Sequence, residues 1–172
     1  MDFIYNDKDY MQIVNNILNN EEFRKTENLE HHGITRLTHS VRVSYFSYKV
    51  SKFFHLNAVK TARAGLLHDF FLNDNEIYKD KIKSVFKHAK EASLNADNCF
   101  IISDMEKDII ETHMFPVASV KPPKYMEGWV VCGVDKVVAM YEFLNNYSSI
   151  FKLKFKHASV IVSLFLTRMF TM

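Results

Sequence analysis

His39, His68, Asp69, His88, His113 and Asp135 are the side chains of this sequence whose types and settings suit metal binding. His39 and Asp135 fall on helical patterns otherwise made of Val, Phe and Tyr, where burying an imidazole or a carboxylate is costly without a partner. A metal ion is such a partner. His68 and Asp69 follow the apolar run Ala64-Gly65-Leu66-Leu67 and so are delivered from the core. Neighbouring residues on a helix diverge by about 100°, but at a helix end both can turn toward one centre, and an aspartate there can offer one oxygen to each of two ions. His113 sits in the last turn before Pro116, where a histidine also favours the helix dipole. His88 has the most polar flanks, Lys87, Ala89 and Lys90.

Imidazole and carboxylate donors suit Fe, Mn, Co, Ni or Zn, and no thiolate cluster points to a structural zinc site. These donors exceed what one tetrahedral ion needs. Two ions bridged by Asp69 would take His39, His68 and Asp135 on one side and His88 and His113 on the other. Such a pair, typically ~3.5 to 4 Å apart, lowers the pKa of a bridging water and holds a phosphoryl oxygen. Arg36, one turn before His39, projects from a similar face and suits a phosphate clamp, the alternative being an ion pair with a carboxylate. His31 and His32 before Gly33 either line the pocket or occupy a polar turn. Lys121 and Lys124, beside Pro122-Pro123, are within a loop's reach of substrate or simply solvated.

Helices must position these groups. Ile13, Val14, Ile17 and Leu18 mark a first covering helix. Residues 35–54 contain no Gly or Pro and repeat Val43, Phe46, Val50 and Phe53 as one stripe that includes His39. Asn57 is a candidate N-cap for a helix ending near His68-Asp69. From Phe70 to Lys87 the pattern is polar and irregular, which predicts a loop with at most one short helix, the next helix starting near His88. Ser103-Asp104-Met105-Glu106 reads as a capping box, and Pro116 stops that helix. Residues 117–125 form a loop. Val131, Val134, Val138 and Tyr141 predict a helix over 127–144 carrying Asp135, and a last helix is expected over 151–170. His55 and His157 read as surface residues, and Cys132 as a small buried hydrophobe.

The chain of 172 residues, 48% hydrophobic and 24% charged with only 4 Gly and 3 Pro, suits a single all-α domain of six or seven helices. Core motifs span 31–144, and 145–172 supplies a terminal helix packed on them. A net charge of +2 gives no global field for nucleic acid or an acidic membrane. Cys99 and Cys132 are too few for a disulfide framework, so a reduced, cytoplasmic setting is expected. The start, MDFIYNDKDY, lacks the apolar core of a signal peptide, and Val160 to Leu166 is far shorter than the ~20 residues that span a bilayer.

The order His39, His68-Asp69, His88, His113, Asp135 resembles the HD superfamily of metal-dependent phosphohydrolases in its six-ligand, two-metal form. The segments TRLTHSVRVSYFSYKVSKFF, ARAGLLHDFF, KHAKEASLNA, KDIIETHMFP and GWVVCGVDKVVAMYEF are similar to small stand-alone bacterial HD proteins over roughly residues 31 to 144. The resemblance implies an HD-type bundle, those six residues as ligands of two divalent transition-metal ions, and hydrolysis of a phosphate ester or anhydride by a metal-activated hydroxide, with Asp69 bridging and Arg36 or a loop lysine balancing charge. The substrate it implies is a nucleotide or a similar small phosphorylated metabolite. Relatives acting on diadenosine polyphosphates or cyclic dinucleotides often carry a lysine three residues after the HD aspartate, where this chain has Leu72, and no Gly-Tyr-Pro motif is present. A mixed-valent di-iron oxygenase and a non-catalytic, metal-stabilised nucleotide-binding module are the competing expectations.

Overall fold

The computed structural model describes residues 2–31, 34–72 and 81–147, and over them the protein is a helical bundle. Its helices are α1 (Asp2–Tyr5), α2 (Lys8–Leu18), α3 (Glu21–Arg24), α4 (Arg36–Phe53), α5 (Ala58–Leu67), α6 (Lys81–Cys99), α7 (Asp104–Thr112) and α8 (126–147). Two of these, α1 and α3, are single turns. A 3-10 turn, Lys25–Asn28, leads into a two-stranded antiparallel pair, β1 (Glu30–His31) and β2 (Ile34–Thr35), that was not expected from the sequence. The helix expected over 151–170 lies outside the described residues.

Local chemistry sets most of the boundaries. Asp7, Asn20, Thr35, Asn57 and Ser103 each turn a side-chain oxygen onto a backbone N–H of the first turn, of α2, α3, α4, α5 and α7 respectively. At α7 the full capping box forms, with Glu106 reaching back to the Ser103 N–H. α4 ends with His55 at φ 55°, while the Leu56 N–H reaches the Ser51 carbonyl and the His55 N–H that of Lys52. That is a Schellman ending, with histidine where glycine is usual. α6 begins at Lys81, seven residues before His88, so His88 is an interior residue of a helix and not its start. Lys81-Ile82-Lys83-Ser84 holds no helix breaker, and a polar opening turn gives no apolar stripe by which to find it.

The stripe expected on α4 is corrected by the structure. Val43 is buried with His39, but Phe46 is 40% and Phe53 77% exposed. The face turned inward instead carries Ser40, Ser44, Ser47 and Ser51, all buried. Small side chains there let α5 come close: a Cβ on Gly65 would lie 3.1 Å from the Cα of Ser44. Their hydroxyls are used as well, Ser44 donating to the Ala62 carbonyl at 2.6 Å and Ser51 to Thr61 Oγ1 at 3.1 Å. Phe46 and Val50 line an apolar groove of about 780 Å³ with Phe3, Trp129, Val137 and Tyr141.

The core fills the space between α2, α4, α5 and α7. Tyr10, Val14, Ile17, Val41, Leu66, Leu67, Ile109 and Ile110 are fully buried, each large aliphatic side chain stabilising the fold by about 1.5 to 3 kcal/mol. Arg63 of α5 donates to Glu106 of α7 at 2.7 Å, fixing these two helices to each other. Ser93 of α6 donates to Glu111 of α7, and Asn95 donates to the Phe70 carbonyl just after α5. Glu127 of α8 accepts from the Asn57 N–H at 2.9 Å. α6, α7 and α8 are thereby tied to α5 along its length, from its N-cap at Asn57 to Phe70 beyond its C-terminus. Among the described residues no helix is long and apolar enough to cross a membrane.

Candidate metal centre

Two helices, α5 and α7, end on a histidine at the C-cap. The last carbonyls of a helix lack intrahelical donors, and each histidine turns back to supply one. His68 Nδ1 lies 2.8 Å from the Gly65 carbonyl oxygen, and His113 Nδ1 lies 2.7 Å from that of Ile110. A carbonyl oxygen only accepts, so Nδ1 carries the proton in both rings and the Nε2 lone pairs face inward. There His113 Nε2 meets His88 Nε2 at 3.2 Å, and each lies 3.6 Å from Asp69 Oδ1. His68 Nε2 is 3.7 Å from Asp69 Oδ2 and 3.6 Å from Asp135 Oδ1. His39, from the second turn of α4, brings its Nε2 to 3.1 Å from Asp135 Oδ1 while its Nδ1 donates to Glu142 Oε2 at 2.8 Å.

All six expected ligands are thus in one buried cluster. Three sets have donor atoms within 4.8 Å of one another: His39, His68 and Asp69; His68, His113 and Asp135; Asp69, His88 and His113. Asp69 belongs to two of them, with Oδ2 toward His68 and Oδ1 toward His88 and His113. The fit to a cation rests on His68 Nε2, which is buried and has no hydrogen-bond partner among the described residues. An unsatisfied buried nitrogen costs about 1 to 3 kcal/mol, and a cation within this donor set removes that cost. Imidazole and carboxylate donors without thiolate match a first-row divalent ion.

The fields in the cluster are strong. Burial disfavours the charged form of His39, yet its bonds to Asp135 and Glu142 carry its pKa up to about 10. For His68 burial again opposes, and Asp69 followed by Asp135 turns the balance upward. His113 goes the other way: burial, reinforced by His68, pushes it down to about 3. Asp135 is held well below the usual carboxylate range, burial being outweighed by its bond to His39 and by the nearby His68 ring.

Comparisons with protein-family models, with curated proteins and with solved structures found no match. The reading of the centre therefore rests on its own residues.

Of the other expected residues, Arg36 is buried, donates from Nη1 to the Phe71 carbonyl at 2.5 Å and places its guanidinium 3.7 Å from the centre of the Phe71 ring. Phe71 in turn packs on His88, ring centres 5.2 Å apart. Arg36 thus borders the cluster through Phe71. Lys121 gives its ammonium to Asp108 at 3.0 Å, and the Lys124 N–H binds the other oxygen of the same carboxylate. Both lysines take part in fixing the 117–125 loop to α7. His32 lies outside the described residues, as do residues 73–80 in the loop expected after Phe70. Leu72 is partly buried and packs on the core.

Sequence reasoning missed Glu142, Arg42 and Lys136. Glu142 is 3% exposed and divides its carboxylate, Oε2 accepting from His39 and Oε1 from Arg42 Nη1 at 2.9 Å. Burial raises its pKa, but His39 and then Arg42 bring it below the ordinary value. Its signal was present, since Glu142 follows Asp135 by two helical turns and so shares its face. Lys136 donates to the carbonyls of His113 at 3.0 Å and Cys132 at 3.2 Å, sealing the end of α7. Nothing in its sequence setting marks it.

Proposed function

We propose that this protein is a metal-dependent phosphohydrolase of the HD type, acting on a phosphate ester or anhydride of a nucleotide or a similar small metabolite. The observation that carries the reading is the convergence of four imidazole Nε2 atoms and two aspartates, in the order that resembles the HD superfamily, on one buried point. His39, His68, Asp69 and Asp135 would hold one ion, and Asp69, His88 and His113 a second. When bound, such ions supply Lewis acidity toward a phosphoryl oxygen and lower the pKa of water. The chain's own part is positional. The Gly65 and Ile110 carbonyls fix the tautomers of His68 and His113, and Glu142 fixes that of His39. Asp69 offers its two oxygens to opposite sides. Arg36, held over the Phe71 ring that packs on His88, balances phosphate charge.

A non-catalytic binding module is the second reading, and it has its own support: Leu72 is packed on the core and Lys121 is occupied by Asp108. Phosphate release from a nucleotide panel, measured on protein reconstituted with Mn, Fe, Co, Ni or Zn, separates the two. Hydrolysis that disappears in Asp69→Ala together with the bound metal supports the enzyme. Full metal content with no turnover of any substrate supports the module, and oxygen consumption with a mixed-valent iron signal would replace both by an oxygenase.

A further inference from the structure

The Nδ1 partners of the ligand histidines are not alike. His68 and His113 are backed by neutral carbonyls of their own helices, at 2.8 and 2.7 Å. His39 is backed by a carboxylate, Glu142 Oε2, at 2.8 Å. An anionic partner makes the opposite ring nitrogen a stronger donor than a carbonyl does, and such outer partners typically change metal affinity by roughly 10- to 100-fold. Glu142 is itself set in place: its side chain is fully buried, and Arg42, one turn after His39 on α4, takes its second oxygen at 2.9 Å. A charged group so enclosed needs this pairing to stay ionised. The carboxylate therefore cannot swing away from His39 without leaving Arg42 unpaired on the same helix face.

The remaining donors tilt the same way. Asp135 Oδ1 stands 3.1 Å from His39 Nε2 and 3.6 Å from His68 Nε2. The pair His88 and His113 shares Asp69 Oδ1, at 3.6 Å from each. One side thus combines Asp135, a share of Asp69 and a carboxylate-backed imidazole, while the other has two imidazoles and the other share of Asp69.

We propose that Glu142 is a positioning residue that makes the His39 side of the centre the tighter of two unequal metal positions, so that the ions enter in order, the His39 side first. The proposal rests on the two-metal reading given above. It assigns Glu142 and Arg42 to the centre although neither reaches a metal.

The test is a Co²⁺ or Zn²⁺ titration of the full chain in the presence of a competing chromophoric chelator, for wild type and Glu142→Gln. The amide keeps the size and an acceptor oxygen but removes the charge. Wild type should load in two steps, and Glu142→Gln should weaken the first by roughly 10- to 100-fold while leaving the second within a few fold. The Co²⁺ absorption band of the first step should shift in energy, a change that a merely structural role would not produce. His88→Ala should remove the second step alone. Equal first-step affinity in wild type and Glu142→Gln, or an equal loss at both steps, overturns the proposal while leaving a metal protein. Absence of any metal uptake by wild type would instead overturn the two-metal reading itself. The thermal melt of each metal-free protein, run alongside, identifies any variant whose loss comes from unfolding.

Discussion

The rings of His39, His68 and His113 each have a proton placed by a partner outside the cluster, and pH dependence follows at the scale of single residues. His39 has a folded pKa of about 10 against an ordinary 6.5, so near neutral pH the metal-free ring holds two protons and must lose one to coordinate through Nε2. Metal binding then releases protons, and affinity should improve by at least about tenfold per pH unit between pH 7 and 9. Competition titrations at three pH values with proton release followed by indicator dye check this, and a pH-independent affinity would show that His39 is not a ligand. The sign for stability is separate. With the folded value raised, His39 adds stability to the metal-free protein that is complete below about pH 6.5 and is lost as pH rises through 10. His113, lowered to about 3, does the opposite: its contribution is complete above pH 6.5 and is lost as pH falls toward 3. Denaturant midpoints of chelator-treated protein should therefore fall on both the alkaline and the acid side.

The contact between α4 and α5 sets the separation of His39 from His68 at the scale of elements. Gly65 faces the backbone of Ser44 with only 3.1 Å available to a Cβ. Alanine gains up to about 1 kcal/mol of helix propensity over glycine, while forcing a packed backbone apart costs about 1 to 3 kcal/mol. The net for Gly65→Ala should be destabilisation of roughly 1 kcal/mol, with weaker metal binding because His68 lies one turn further along α5. A denaturant melt and a metal titration on the same variant check both, and a more stable Gly65→Ala with unchanged affinity would mean that α4 yields freely. This scale also shows where the sequence was legible. Caps are local, so Asn57 and Ser103 were correctly placed. The inward face of α4 was not legible from periodicity, because the close helix contact selects serines, whereas Phe46 and Val50 line a groove at the surface. Motif order put His88 with the other candidate ligands, and the fold brings it into their cluster, but the start of its helix was hidden by a lysine-rich opening turn. Glu142 escaped because its partners, His39 and Arg42, lie about a hundred residues away along the chain and only folding brings them together.

For the whole molecule, the centre is a junction of α4, α5, α6, α7 and α8, since each supplies or ends in a candidate ligand. The unfolded chain has no such junction, so a metal taken up by the cluster would stabilise the folded state by mass action, about 2.7 kcal/mol at a hundredfold excess over the dissociation constant. Chelation should lower the melting temperature by roughly 5 to 10 °C for a chain of this size. Scanning calorimetry with and without Mn, Co or Zn checks this, and a melting temperature indifferent to both would reduce the cluster to a buried polar network. The burial of His39, His68 and His113, at 0%, 0% and 1% exposure, has a consequence in time as well as in energy. Of the six side chains only His88 and Asp135 keep a tenth or more of their surface, 10% and 12%, so water and substrate would reach the ions from that side while His39, His68 and His113 hold them from within. The rate of metal loss should then rise with chelator concentration only up to a ceiling set by opening of the surrounding helices. The bundle would set the upper limit to its own metal exchange.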